Sequence, residues 1–144
     1  MGILGTSAVL ITDLTLIIQI TSFILLLGAL INKAKKKYKI HASIMSVALI
    51  LHFITFLVAM GPSFIVGINF LTTELLHMGV IALWIHVLTG ALSLAFGFFL
   101  VIAWIPKISN VAPCFKRKRI MDATALLWGI SFIFGIITYL VFYV

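Results

Sequence analysis

Four histidines and three acidic residues carry the acid–base and metal-binding chemistry that this sequence offers. They are His41, His52, His77 and His86, with Asp13, Glu74 and Asp122. No serine–histidine–aspartate set, phosphate-binding glycine loop or cysteine cluster accompanies them, and Cys114 is the only cysteine. No catalytic residue is therefore assigned. Imidazole is the commonest metal ligand among side chains, and an ionisable group inside an apolar segment is costly unless it is used. Ligation by histidine is the chemistry to examine, and it depends on the elements that hold the rings.

Those elements follow from composition. The chain has 144 residues, of which 64% are hydrophobic and 9% charged, with a mean hydropathy of +1.33. A water-soluble domain carries roughly 25% charged residues, so a soluble enzyme, a disordered chain and a nucleic-acid-binding module are excluded. A membrane-spanning helix needs about 20 apolar residues. Four such runs occur, over residues 7–31, 40–60, 75–105 and 120–144. They are apolar on every face, unlike the alternating segments of about 10 residues in a β-barrel. The expectation is an all-α, four-helix transmembrane bundle forming a single membrane domain over residues 1–144. Residues 61–74, though apolar, read as a loop lying along the interface.

The net charge of +7 is concentrated in two connectors. Lys33, Lys35, Lys36, Lys37 and Lys39 lie between the first and second helices; Lys107, Lys116, Arg117, Lys118 and Arg119 lie between the third and fourth. The 61–74 segment and both termini contain no lysine or arginine. Short basic loops remain in the cytoplasm, so the N and C termini are expected outside. The expected location is a prokaryotic cytoplasmic membrane, crossed several times. Membrane lipids are the expected surroundings, and anionic headgroups are a candidate partner for the basic loops. Nucleic acid is not an expected partner.

With that orientation, His52 lies eight residues before the outer end of the second run, and His86 lies eleven residues past Leu75. The two rings should share a depth near the midplane. At about 100° per residue, His52 shares a stripe with His41, Met45, Ala48, Thr55 and Ala59. His86 shares one with Gly79, Ala82, Gly90, Ser93 and Gly97. Both stripes consist mostly of small side chains, which leave room for a flat macrocycle between helices. Small faces also serve simply to let helices approach. On spacing alone, a haem, another metal and plain packing histidines all stay open.

The remaining candidates are less central. His41 lies on the His52 face but about 16 Å away along the axis, where it can hold a second haem, meet a propionate or sit at the interface, and Met45 beside it is a thioether that can ligate or fill the core. Glu74 and His77 form a Glu-x-x-His step, a spacing found in carboxylate metal sites. With Asp13 they make a candidate metal or proton path. In the fourth helix, Trp128, Ser131, Gly135 and Tyr139 form one stripe expected to face the bundle.

At these residues the chain resembles the four-helix membrane proteins grouped as domain of unknown function 420. The resemblance covers about residues 40–144. It rests on His41-Ala-Ser-Ile-Met45, on Leu83-Trp-Ile-His86, and on the spacing of Trp128, Gly135, Tyr139 and Tyr143. Some members assist assembly of haem–copper oxidases and carry histidines placed for b-type haem. The resemblance implies haem b on His52 and His86; one haem or two stays open, with His41, Met45 and Gly90 as further candidate contacts from their places on the helix faces. One departure is that the family commonly has a histidine at the entry to the fourth helix, where this chain reads Lys116-Arg-Lys-Arg119. A second haem on His41 thereby lacks its partner. The resulting expectation is a small haem protein for electron transfer or haem handling in a respiratory chain, with a membrane redox partner such as an oxidase, or a second copy of itself. A cofactor-free assembly scaffold is the alternative, and no enzymatic reaction is assigned.

Overall fold

The computed structural model describes residues 3–105 and 117–144. Its helices are α1 (Leu10–Ala34), α2 (Tyr38–Thr55), α3 (Gly61–Thr73), α4 (Met78–Trp104) and α5 (Lys118–Tyr143). A single wide π-turn, Phe56–Met60, joins α2 to α3 without a break. The fold is the four-helix bundle expected, because α2 and α3 together make one 36-residue helix. All four helices are long and apolar enough to cross a membrane. In lipid every backbone polar group must be satisfied within its own segment, which is why such runs are helical whatever their intrinsic propensity. Lys107, Cys114 and Lys116 lie outside the described residues.

The expected loop over 61–74 is thus corrected to helix as far as Thr73. Pro62 accounts for both the expectation and its failure. Proline lacks an N–H and its ring collides with the carbonyl four residues back, so it normally stops a helix. Here the preceding turn widens, and the Gly61 N–H reaches back five residues to the Phe56 carbonyl. A π-turn of this kind carries the helix through the proline. At about 1.5 Å per residue the combined helix is about 54 Å long, well beyond the roughly 30 Å of hydrocarbon.

The helices pair unequally. α4 packs most extensively against α5 and α1 against α2, while α2 meets α4 along a shorter seam. α1 and α2 are antiparallel across a three-residue turn, Lys35–Lys37, with Lys36 in the left-handed region at φ 58°. The chain ends lie together: the Ser7 N–H donates to the Tyr143 carbonyl at 3.2 Å. At the opposite end Lys33 of α1 pairs with Asp122 of α5. Hence four crossings bring all the described basic residues to one end and the termini to the other.

The hydrophobic core fills the basic half, around Leu26, Ala48, Leu49, Leu94 and Trp128. The terminal half is looser and contains a cavity of about 320 Å³ between α1, α3, α4 and α5. His52, against Trp128 of the core, and His86, lining the cavity, stand where the two halves meet.

Candidate functional site

Period-3.6 reasoning placed the faces correctly. The buried residues of α2 include His41, Ala48, His52 and Thr55, and those of α4 include Gly79, Ala82, Gly90, Ser93 and Gly97. On α5, Trp128, Ser131 and Tyr139 are buried.

His52 is held by α1. Its Nδ1 lies 2.9 Å from Oε1 of Gln19, and the Gln19 amide nitrogen donates to the Thr55 hydroxyl oxygen. That hydroxyl in turn donates to the His52 carbonyl at 2.8 Å. The ring closes only one way. Since Thr55 spends its proton on a carbonyl, its oxygen must accept from the Gln19 NH₂, which leaves the Gln19 oxygen facing the imidazole. Nδ1 of His52 therefore carries the proton and Nε2 the lone pair. The Trp128 ring covers His52 with its centroid 5.1 Å away.

His86 is held by α5. Its Nδ1–H donates to the Ser131 carbonyl at 2.8 Å, and the Ser131 hydroxyl donates back to the His86 carbonyl at 3.0 Å. Gly135 supplies the space for the ring, because a Cβ there would stand 2.9 Å from His86 Nδ1. Again Nε2 keeps the lone pair, and His86 lines the large cavity along with Gln19 and Tyr139. His52 does not line it.

His41 repeats the pattern, its Nδ1–H donating to the Ala29 carbonyl at 2.8 Å. It lines a separate cavity at the basic end, with Met45. His41, His52 and His86 thus have Nδ1 tied to a carbonyl oxygen of another helix, and none of their Nε2 atoms hydrogen-bonds to a described residue. This second-shell arrangement fixes the tautomer and points the lone pair of a metal-ligating imidazole.

His77 is built differently. It caps α4, where its Nδ1 accepts the Gly79 N–H at 3.2 Å, and it is exposed. Glu74 closes α3 and His77 precedes α4, so a turn separates them. They therefore do not share the helical face that their spacing implied. Asp13 is also engaged, accepting from the Tyr139 hydroxyl at 2.6 Å and from the Leu4 N–H at 2.9 Å. Among the described residues no three His, Cys, Asp or Glu side chains gather into a group that could hold a metal ion.

The small faces are not left open. A Cβ at Gly79 would meet Phe142 at 2.8 Å, one at Gly90 the Ser131 Oγ at 2.9 Å, and one at Gly97 the Leu49 Cδ1 at 2.7 Å. The His86 stripe accordingly faces α5 along much of its length rather than α2. The room for a ligand lies instead in the cavity beside His86, with Phe64, Phe132 and Phe142 among its walls. Sequence reasoning missed Gln19 and Ser131 as the groups that orient the rings. Gln19 was visible as a lone amide within an apolar helix, the kind of polar residue that glues membrane helices together.

In comparison with known proteins the chain matches no family model, no curated protein and no solved structure. The functional reading rests on the geometry just described.

Proposed function

We propose that this multi-pass membrane protein is a b-type haem protein in which Nε2 of His52 and Nε2 of His86 would hold the iron. The observation that carries this reading is the matched second shell. Two imidazoles on different helices, His52 buried and His86 part-buried, each give their Nδ1 proton to a carbonyl oxygen, Gln19 Oε1 and Ser131 O, and keep Nε2 for a metal. That donor set fits an iron held by two neutral imidazoles, and the 320 Å³ cavity beside His86 gives room next to it. Bound there, haem supplies one-electron transfer. The protein's own contribution is to fix both tautomers, exclude water by burial and present aromatic walls. The resemblance to the domain of unknown function 420 points the same way.

The sidedness belongs to the same proposal. All eight described basic residues, from Lys33 to Lys39 and from Arg117 to Arg119, cluster at the end opposite the termini. Short basic loops stay cytoplasmic, which puts the termini outside a prokaryotic cytoplasmic membrane. Electron transfer or haem handling beside a respiratory oxidase is the role that this placement supports.

A second reading is a cofactor-free assembly scaffold. The close filling of Gly79, Gly90, Gly97 and Gly135 favours it, because the His86–Ser131 exchange then acts as an interhelical clasp. Visible spectra separate the two. The detergent-purified protein, expressed with ample haem, is expected to show a split reduced spectrum of a bis-imidazole haem. The His52→Ala, His86→Ala double variant is expected to be colourless. A folded wild type without colour would leave the scaffold as the better account.

A further inference from the structure

The cavity at the basic end of the bundle is smaller, about 70 Å³, and the haem reading makes no use of it. It opens between all four spans. Met45, Trp104 and Trp128 give it apolar walls, while Lys33, His41 and Arg117 bring polar groups to the same space. Charge around it is one-sided. Lys33, Lys35, Lys36, Lys37, Lys39, Arg117, Lys118 and Arg119 face a single described acid, Asp122, which is paired with Lys33. Arg117 lies 5.6 Å above the Phe99 ring and makes no ion pair among the described residues. The Trp128 indole N–H is buried without a hydrogen-bond partner among the described residues.

An apolar space lined by two cations, of which Arg117 has no ion pair among the described residues, selects an amphiphile with a negative head. A neutral lipid would leave the cations without a counter-charge, and a zwitterionic one would bring its own ammonium to a cationic surface. We propose that this cavity binds one anionic phospholipid, its phosphate held between Lys33 and Arg117 and part of one acyl chain lying against Met45, Trp104 and Trp128. Basic pockets between membrane helices are suited to such headgroups.

The bland explanation, that these charges serve only to orient the chain, gives different results in one experiment. The full chain is delipidated in mild detergent and examined by native mass spectrometry with phosphatidylglycerol or phosphatidylcholine of identical acyl chains. One retained phosphatidylglycerol is expected, in clear preference to phosphatidylcholine. Each basic residue near an anionic head is worth about fivefold in binding. Arg117→Gln, which leaves the Lys33–Asp122 pair intact, should therefore lower retention about fivefold. Ala103→Phe, which narrows the cavity wall, should lower it without changing any charge. The loop variant Lys35→Gln, Lys37→Gln should retain lipid like the wild type. Equal retention of phosphatidylcholine would overturn the proposal, as would an equal loss in the loop variant or displacement of the lipid by inorganic phosphate. Circular dichroism on each variant confirms that the helices persist.

Discussion

Ser131 and His86 exchange hydrogen bonds across the α4–α5 seam: the imidazole Nδ1–H donates to the Ser131 carbonyl at 2.8 Å while the Ser131 hydroxyl donates to the His86 carbonyl at 3.0 Å. The two bonds differ in what they do. One fixes a tautomer and the other fixes a helix separation, so they can be removed separately. Ser131→Ala deletes the hydroxyl and keeps the backbone acceptor. Interhelical hydrogen bonds in membranes average roughly 0.6 kcal/mol, with a maximum of about 1.7. The variant should unfold in denaturing detergent with a loss in that range, and it should keep haem colour because Nδ1 still has its acceptor. A bleached Ser131→Ala that remains folded would mean that the hydroxyl, not the carbonyl, orients the ring.

Gln19 is the corresponding group for His52, and it acts without touching the ligand atom. Gln19→Leu preserves the approximate volume but leaves Nδ1 of His52 without an acceptor. Loss of an outer-shell partner typically costs 10–100-fold in metal affinity. Titration of the apo-protein with haem should show a weakening of that order. Thr55→Val should weaken binding less, since the Gln19 oxygen still faces the imidazole. If Gln19→Leu binds haem like the wild type, His52 is not an axial ligand.

How far the sequence anticipates these contacts depends on whether they are properties of one helix or of two. The faces of α2 and α4 were legible because burial repeats every 3.6 residues, and one helix carries the whole pattern: His52 with Thr55, His86 with Gly90 and Ser93. Which neighbour each face meets was not legible. Gly90 and Gly135 signal close approach, but nothing in either run says that the approach is to each other's helix. The segment after Met60 misled for a different reason. Pro62 is a stop signal in an isolated α-helix, and a π-turn that absorbs it has no composition of its own. Glu74 and His77 were read as helical neighbours because the boundary between α3 and α4 was set a few residues early.

Two glycines of α5 give a controlled comparison. At Gly135 an added Cβ would stand 2.9 Å from His86 Nδ1, while at Gly129 it would meet nothing within 4 Å. Gly135→Ala must push the imidazole from its bond to Ser131, and overpacking of this kind costs typically 1–3 kcal/mol. Gly129→Ala should be neutral or stabilising by up to about 1 kcal/mol through helix propensity. Thermal unfolding of the two purified variants should therefore shift in opposite directions, and only Gly135→Ala should alter the haem spectrum. Equal and small shifts would mean that the α4–α5 seam is more yielding than these distances require.

The clasp at the chain ends has a role apart from the cofactor. Tyr139 donates to Asp13 at 2.6 Å and meets the Thr6 hydroxyl at 2.8 Å, while Asp13 also accepts the Leu4 N–H. Three elements are tied through one phenol: the segment before α1, α1 itself and α5. Tyr139→Phe removes that group without disturbing the aromatic packing. Residues 3–9 should then exchange amide hydrogens faster, while exchange within α4 stays unchanged. Faster exchange throughout α4 as well would show that the clasp supports the bundle and not only its N-terminal segment.

The sidedness of the membrane insertion can be decided independently of any cofactor. Ser7 bonds to Tyr143 at one end of the bundle and Lys33 pairs with Asp122 at the other, so single cysteines at the two ends report opposite compartments. In a Cys114→Ser background, Ser7→Cys should react with a membrane-impermeant maleimide added to intact cells. Lys36→Cys should react only after the membrane is opened, because short basic loops stay cytoplasmic and all eight described basic residues stand at that end. Charge alone carries this expectation, since Asp and Glu contribute little to the rule and no described lysine or arginine stands on the other side. Reversed labelling would turn the terminal half of the bundle, with the cavity beside His86, toward the cytoplasm. It would also move the basic-end cavity to the outer leaflet while leaving every distance in the bundle unchanged. The haem and lipid measurements would then stand on their own, and the respiratory partner would have to approach from the opposite face.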